Sequence, residues 1–278
     1  MTLKEKWFAF SKNVKNMNVQ ARKNSVRQNY LNWQTPFCRY SRNVQILKEL
    51  GESVAPNQLA LALFMQYGAQ QAPQWLEQGL PEMVCYDTLR DIAIWCRECV
   101  RLTGQAGVIQ WEWVIHSLKR RVYRLGRLQY QPRVLKEPVF VGERIYPGGT
   151  MILEVHIPAD GRLEQKLVMD SLQQAQTFFR KGGYTLFHCY SWLLSRALCD
   201  ILDRTSNILA FQSLFEVYDE DYSYRQAEER VFGYIEERLE MYPEVTGLQK
   251  ALKRYLLAGK RIGMARGVLL FQEAMNGM

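Results

Sequence analysis

Near the middle of the 278-residue chain, at Gly126, the spacing of apolar residues changes, and this switch constrains the fold more than any other feature. Before it, apolar residues recur every three or four positions, which gathers them on one side of a helix. From Pro81 to Thr103, the residues Met83, Tyr86, Leu89, Ile92, Ala93, Trp95, Cys96, Cys99 and Val100 trace one wide stripe that stops at Gly104. A second helix is predicted from Pro56 to Gln71, ended by Pro73. A third is predicted from Gln110 to Leu125, with Trp113, Ile115, Leu118, Val122 and Leu125 inward. Beyond Gly126, residues 139–141 and 150–157 read as strands, Gly148-Gly149 as a turn, and residues 163–181 as a helix ended by Gly182-Gly183. Residues 184–189 read as a buried strand, 246–258 as a helix and 262–271 as a closing strand. The expected class is α+β: a helical domain over residues 1–126, then an α/β domain with a mixed sheet over 127–278.

A chain of this length buries enough surface for two cores. With 47% hydrophobic and 23% charged residues it lies outside the disordered and collagen-like classes. No run of about 18 apolar residues offers a membrane span, and Met1-Thr2-Leu3-Lys4-Glu5-Lys6 leads into polar and basic residues, so a cytoplasmic location is expected. In that setting the six cysteines are expected as reduced, mostly buried thiols. Cys96 and Cys99 form a C-x-x-C within a helical stripe, without the second ligand pair that zinc requires, so no metal is expected.

The net charge of +8 is unevenly spread: residues 1–136 hold 20 basic against nine acidic residues, the remainder 16 against 19. The first half is therefore the anion-facing one. Residues 1–48 alone carry ten basic residues and one acidic, Glu5, interleaved with Trp7, Phe8, Phe10, Tyr30, Trp33, Phe37 and Tyr40. Such a mixture suits stacking on bases or lying on an anionic surface, and equally a solvated helical lead-in whose aromatics dock on the domain.

The chemistry-bearing residues concentrate in Phe187-His188-Cys189-Tyr190-Ser191-Trp192, where a predicted strand gives way to a predicted helix. His188 reads either as a hydrogen-bonded structural histidine or as a general base. Cys189 alternates with it onto the opposite face, so the two do not form a Cys-His pair. Ser191 caps the next helix or donates to a ligand, and Trp192 anchors the core or walls a pocket. Asp160, in Pro158-Ala159-Asp160-Gly161, suggests an Asx turn, with His156 beside it as a second base candidate. Ser206 and Asn207 suggest a cap or turn pair that also suits a ligand.

Six ordered blocks carry a resemblance: Arg124-Leu125-Gly126-Arg127-Leu128-Gln129, His156-Ile157-Pro158-Ala159-Asp160-Gly161, Ser171-Leu172 with Gln174-Ala175 and Phe178-Phe179, Cys189 to Leu194, Ser206-Asn207-Ile208-Leu209, and Leu248-Gln249-Lys250-Ala251-Leu252. With them the chain resembles the bacterial acyltransferase-domain family, in which a helical N-acyltransferase N-terminal domain precedes a GNAT-like C-terminal domain. The resemblance implies transfer of an acyl group from acyl-coenzyme A, as co-substrate, to an amine on a small molecule or peptide. Under that reading His188, His156 and Ser191 are the catalytic candidates, and Trp192, Ser206, Asn207, Arg124 and Arg127 the cofactor-binding ones. It also implies a sheet that splays beside His188 and Trp192 to admit the thioester. GNAT folds hold the pyrophosphate on a strand-to-helix turn written Gln/Arg-x-x-Gly-x-Gly/Ala. The nearest copy here, Lys260-Arg261-Ile262-Gly263-Met264-Ala265, substitutes Lys and runs from a helix to a strand. The competing reading is a non-catalytic GNAT-like binding protein that engages nucleic acid or another anionic partner through the basic, aromatic segment.

Overall fold

The structure, a computed structural model, describes residues 56–271, and the chain divides between Tyr123 and Arg124 into two compact units. The basic segment of residues 1–48 lies outside the described residues.

The first unit consists, among the described residues, of four helices: α1 (Pro56–Glu77), α2 (Glu82–Leu89), α3 (Asp91–Thr103) and α4 (Trp111–Leu118). They close around Leu61, Phe64, Trp75, Leu89, Ile92, Cys96, Val114 and Leu118. Contrary to expectation, α1 runs through Pro73 and on to Glu77. An interior proline costs about 3 kcal/mol; burial of Ala72 and Trp75 on that last stretch returns a comparable amount. The stripe from Pro81 to Thr103 is one face but two helices, parted at Arg90, whose φ of −60° and ψ of −17° keep the phase of the stripe. Gly104, at φ 73°, turns its N–H back to the Val100 carbonyl at 2.8 Å and ends α3.

The third predicted helix is half right. It stops at Leu118, Arg120 takes a left-handed φ of 52°, and Tyr123–Leu125 forms strand β1. Val122 and Leu125 fit a helical stripe, but a three-residue strand is defined by its neighbour, which periodicity does not reveal.

In the second unit β2 (Leu128–Val134), β3 (Val139–Val141), β4 (Arg144–Tyr146) and β5 (Met151–His156) precede α5 (Gln165–Phe179) and β6 (Leu186–Ser191). After β6 come two short 3-10 turns, then α6 (Asn207–Gln212), β7 (Glu216–Asp221), α7 (Gln226–Phe232), α8 (Gly247–Leu257) and β8 (Met264–Leu270). The main sheet runs β1-β2-β5-β6-β8-β7, and β3 and β4 form a separate hairpin. β2 with β5, β6 with β8 and β7 with β8 pair antiparallel, while β5 and β6 are parallel and joined through α5. The sheet is therefore mixed, as expected.

One face of the sheet receives α5 through Ser171, whose hydroxyl donates to the Leu125 carbonyl and accepts from the Leu128 N–H at 3.0 Å and the Tyr130 hydroxyl at 2.9 Å. Gly126, at φ 66°, makes the β1–β2 turn, and a side chain there would press on Ser171 and Gln174. On the opposite face the β3–β4 hairpin sets Val139, Val141 and Tyr146 over Ile152, Leu186 and Val268. Because strand side chains alternate, Glu154 and His188 continue that same face beyond its apolar end.

Candidate active site

β5 and β6 pair at Ile152↔Leu186, Leu153↔Phe187 and Glu154↔His188, and there the ladder stops, although β5 continues to His156 and β6 to Ser191. Each strand keeps its other neighbour past this point: β5 pairs with β2 as far as His156↔Gln129, and β6 with β8 as far as Ser191↔Ala265. Two parallel strands that part while their outer partners hold them form a wedge. Unpaired N–H and C=O groups along its walls demand hydrogen-bond partners.

At the apex of the wedge sit two ionisable side chains in register. His188 is 7% exposed and Glu154 8%. The Glu154 Oε2 lies 2.9 Å from Nδ1 of His188, and the Tyr218 hydroxyl lies 2.8 Å from its Nε2. Burial alone would push the Glu154 carboxyl up. The hydrogen bond and charge of His188, with further charge from His156 and Arg133, outweigh this and hold it below the usual carboxylate range. An ionised Glu154 accepts the Nδ1 proton, which leaves Nε2 as the acceptor for the Tyr218 O–H. Burial, ahead of the opposing effect of Arg266, pushes the Tyr218 hydroxyl up to about 12, so it stays a proton donor. The register of β7 against β8 shifts between Val217 and Asp219, and the bulge leaves Tyr218 outside the ladder. Bulges of this kind re-aim a side chain.

Further along the same face, His156 meets Gln131 at 3.2 Å across β5 and β2. On the β6 side the Tyr190 hydroxyl donates to Asp221 at 3.2 Å, and the Arg266 guanidinium lies 4.2 Å from the Tyr190 ring centre while pairing with Asp219.

The loop from β5 to α5 is held from below. Arg124 makes a bidentate pair with Asp160 at 3.0 and 3.1 Å, where an Asx turn was expected, and its Nε donates to the Gly126 carbonyl. Arg127 donates to the carbonyls of Arg162 and Gly161 at 2.8 and 2.6 Å. Both guanidiniums are buried, and Nη1 of Arg127 has no hydrogen-bond partner. The loop leads into α5 with exposed Arg162 and Lys166, and Glu164, at the N-cap position, makes no side-chain cap bond to the helix amides.

The remaining sequence candidates fall elsewhere. Ser191 alternates onto the face opposite His188 and accepts the Leu193 N–H at 3.2 Å as the cap of a 3-10 turn. Trp192, Leu193 and Leu194 lie within that turn, buried and packed on β8, rather than along the wedge. Gly267 of β8 permits the approach: a Cβ there would stand 3.0 Å from Leu194 Cδ1. Ser206 caps α6 by accepting the Ile208 N–H, and exposed Asn207 opens that helix. Cys189 is fully buried, and burial raises its thiol well above the ordinary range, which removes it as a nucleophile. Lys260 to Gly263 follows α8 and Met264-Ala265 open β8, helix before strand as the sequence indicates. Among the described residues no group of three or more His, Cys, Asp or Glu is placed to hold a metal ion.

Sequence reasoning passed over Glu154 and Tyr218. A signal for the first exists: Glu154 interrupts the apolar run Ile152-Leu153-Glu154-Val155, and a carboxylate in a buried strand needs a partner. Tyr218 sits in the polar string Glu216-Val217-Tyr218-Asp219-Glu220-Asp221, where nothing marks it.

Residues 122–269 match the family of GNAT-like C-terminal domains and residues 7–119 that of N-acyltransferase N-terminal domains. No curated protein matches the chain in sequence. Among solved structures, an acyltransferase in complex with CoA and 10C-teicoplanin is 25% identical with a TM-score of 0.66, over 77% of this chain and 66% of its own. An acyltransferase in complex with decanoyl-CoA is 28% identical, again at a TM-score of 0.66, over 76% of this chain and 65% of its own. The chain thus spans just under two thirds of the length of those proteins.

Proposed function

We propose that this chain, which belongs to the family of GNAT-like C-terminal domains and carries an N-acyltransferase N-terminal domain ahead of it, moves an acyl group from acyl-coenzyme A to an amine. The observation that carries the reading is the parting of β5 and β6 at Glu154↔His188, with a buried carboxylate, imidazole and phenol joined at the apex. The solved relatives hold CoA, decanoyl-CoA and teicoplanin-type compounds, which supports a thioester as co-substrate and makes a medium-chain acyl group and a glycopeptide amine the first pair to try.

In this mechanism the thioester enters the wedge and the amine approaches along the polar sheet face. As its nitrogen bonds to the carbonyl carbon, its proton passes to Nε2 of His188, which the Glu154 carboxylate keeps in the correct tautomer. The carbon–sulfur bond breaks, and the thiolate takes a proton from the Tyr218 hydroxyl, which regains one from His188. The products are the amide and free CoA, and the three side chains return to their starting protonation. His156 stands further along the same face as the second base candidate. The diphosphate lies against the amides that open α5, with Arg162 and Lys166 beside it, Arg127 Nη1 as a donor, and Arg124 fixing the loop through Asp160. Ser191, Trp192, Ser206 and Asn207 act in this account only by shaping the segment after β6.

Isothermal titration with CoA, acetyl-CoA and decanoyl-CoA tests the reading, followed by an acyl-transfer assay with teicoplanin as acceptor. Micromolar to submillimolar binding is expected; no heat from any of the three at millimolar concentration refutes it.

A further inference from the structure

We infer that Gln129 is a substrate-binding residue whose side-chain N–H donates to an uncharged carbonyl oxygen of the bound substrates, the acyl-CoA carbonyls first. The inference rests on the acyl-transfer reading above and adds to it a group with no assigned role. Gln129 is 1% exposed, yet its Nε2 has no hydrogen-bond partner. A buried amide left unsatisfied in this way costs free energy that nothing in the fold recovers, so the donor marks a place where an acceptor arrives.

Its position narrows the choice of acceptor. In the β2–β5 ladder Gln129 stands opposite His156, one step past Gln131↔Glu154 on the same face, and so beside the stretch of β5 that has already parted from β6. The polar neighbours in that row do not serve it: His156 Nε2 and Gln131 Oε1 engage each other. The ionised Glu154 carboxylate stands one step along the same face, and the uncharged Gln129 amide brings no positive charge to offset a second anion there. A phosphate or carboxylate is therefore the wrong partner, while a thioester or amide carbonyl brings a lone pair without net charge.

The test uses two variants of the full chain. Gln129→Met keeps the length and removes the donor, and Gln129→Glu puts an acceptor in its place. Without ligand, the thermal midpoint of Gln129→Met is expected to hold or rise, because no bond is lost. A structural glutamine would instead lower it. Titrations with CoA and decanoyl-CoA, and KM values for both substrates, then locate the carbonyl. A fall of about 3- to 10-fold for decanoyl-CoA alone assigns the thioester carbonyl, and an equal fall for CoA assigns a pantetheine amide. A rise confined to the KM of the acceptor places the carbonyl on that molecule, and Gln129→Glu deepens whichever loss is seen. Lowered stability with unchanged affinities, or no change in any constant, overturns the inference. Wild-type protein that binds neither CoA nor decanoyl-CoA instead removes the acyl-transfer reading itself.

Discussion

His188 is positioned by two partners of opposite use: Glu154 fixes the ring and Tyr218 occupies the nitrogen that must take a proton. Replacing His188 with Ala should lower kcat by about 10²- to 10⁴-fold, with little change in acyl-CoA affinity. Glu154→Gln should keep the fold and lower kcat, because the ring loses its orienting carboxylate. Steady-state assays across pH decide the matter, and an unaltered kcat in His188→Ala defeats the relay. Ser171 works on stability alone. Its hydroxyl serves the Leu125 carbonyl, the Leu128 N–H and the Tyr130 hydroxyl at once, so Ser171→Ala should cost about 2–4 kcal/mol in urea unfolding. At this scale the sequence shows the histidine, because histidine is rare here and surrounded by apolar residues. It does not show the tyrosine, whose use follows from a bulge in one strand against another.

The element that most needs support is the loop between β5 and α5, and the Arg124–Asp160 pair supplies it from within the protein. Removing one partner strands the other charge in a buried place. Asp160→Ala should therefore destabilise the chain by about 3–5 kcal/mol and weaken CoA binding, measured by thermal unfolding and titration. The paired replacement Arg124→Met with Asp160→Leu should recover only part of the stability and not the binding, since buried Arg127, 4.0 Å from Asp160, then lacks its counter-ion and the loop its fixed shape. If Asp160→Ala leaves both unchanged, the pair does not hold the loop. Elements with a long apolar stripe are readable in advance: α5 and α8 lie within a few residues of their expected ranges, and the stripe from Pro81 to Thr103 covers α2 and α3 together. The capping box at Thr246 and Gln249 even marks the start of α8 in the sequence. The misread stretch, residues 119–125, has helical spacing but bends at Arg120 and joins a sheet, a decision made by a strand neighbour rather than by local preference.

Over the whole molecule, acid should be the destabilising direction. Burial pushes the carboxyl of Glu228 up, but hydrogen bonds from Arg225 and Tyr242 more than offset it, and Glu154 is likewise held down by His188. A depressed folded-state value means that the stabilisation is complete above the unfolded carboxylate range of about 4.3 and is lost as pH falls through the folded value. Thermal midpoints should thus decline below about pH 4, and Glu228→Gln should flatten that decline while lowering stability at neutral pH. A midpoint independent of pH between 3 and 7, on the order of the titration range considered, would contradict this.

Apolar spacing, by itself, determined that helices come first and a mixed sheet with helices follows, because those periods are set by backbone geometry and written into neighbouring residues. The ordered blocks also pointed to the correct family. Only the tertiary structure decided which strands part, that Glu154 and Tyr218 close on His188, and that Arg124 and Arg127 face their own loop. Those outcomes depend on register and crossover between segments 30 or more residues apart, where the free energy lies in pairings that no local window contains.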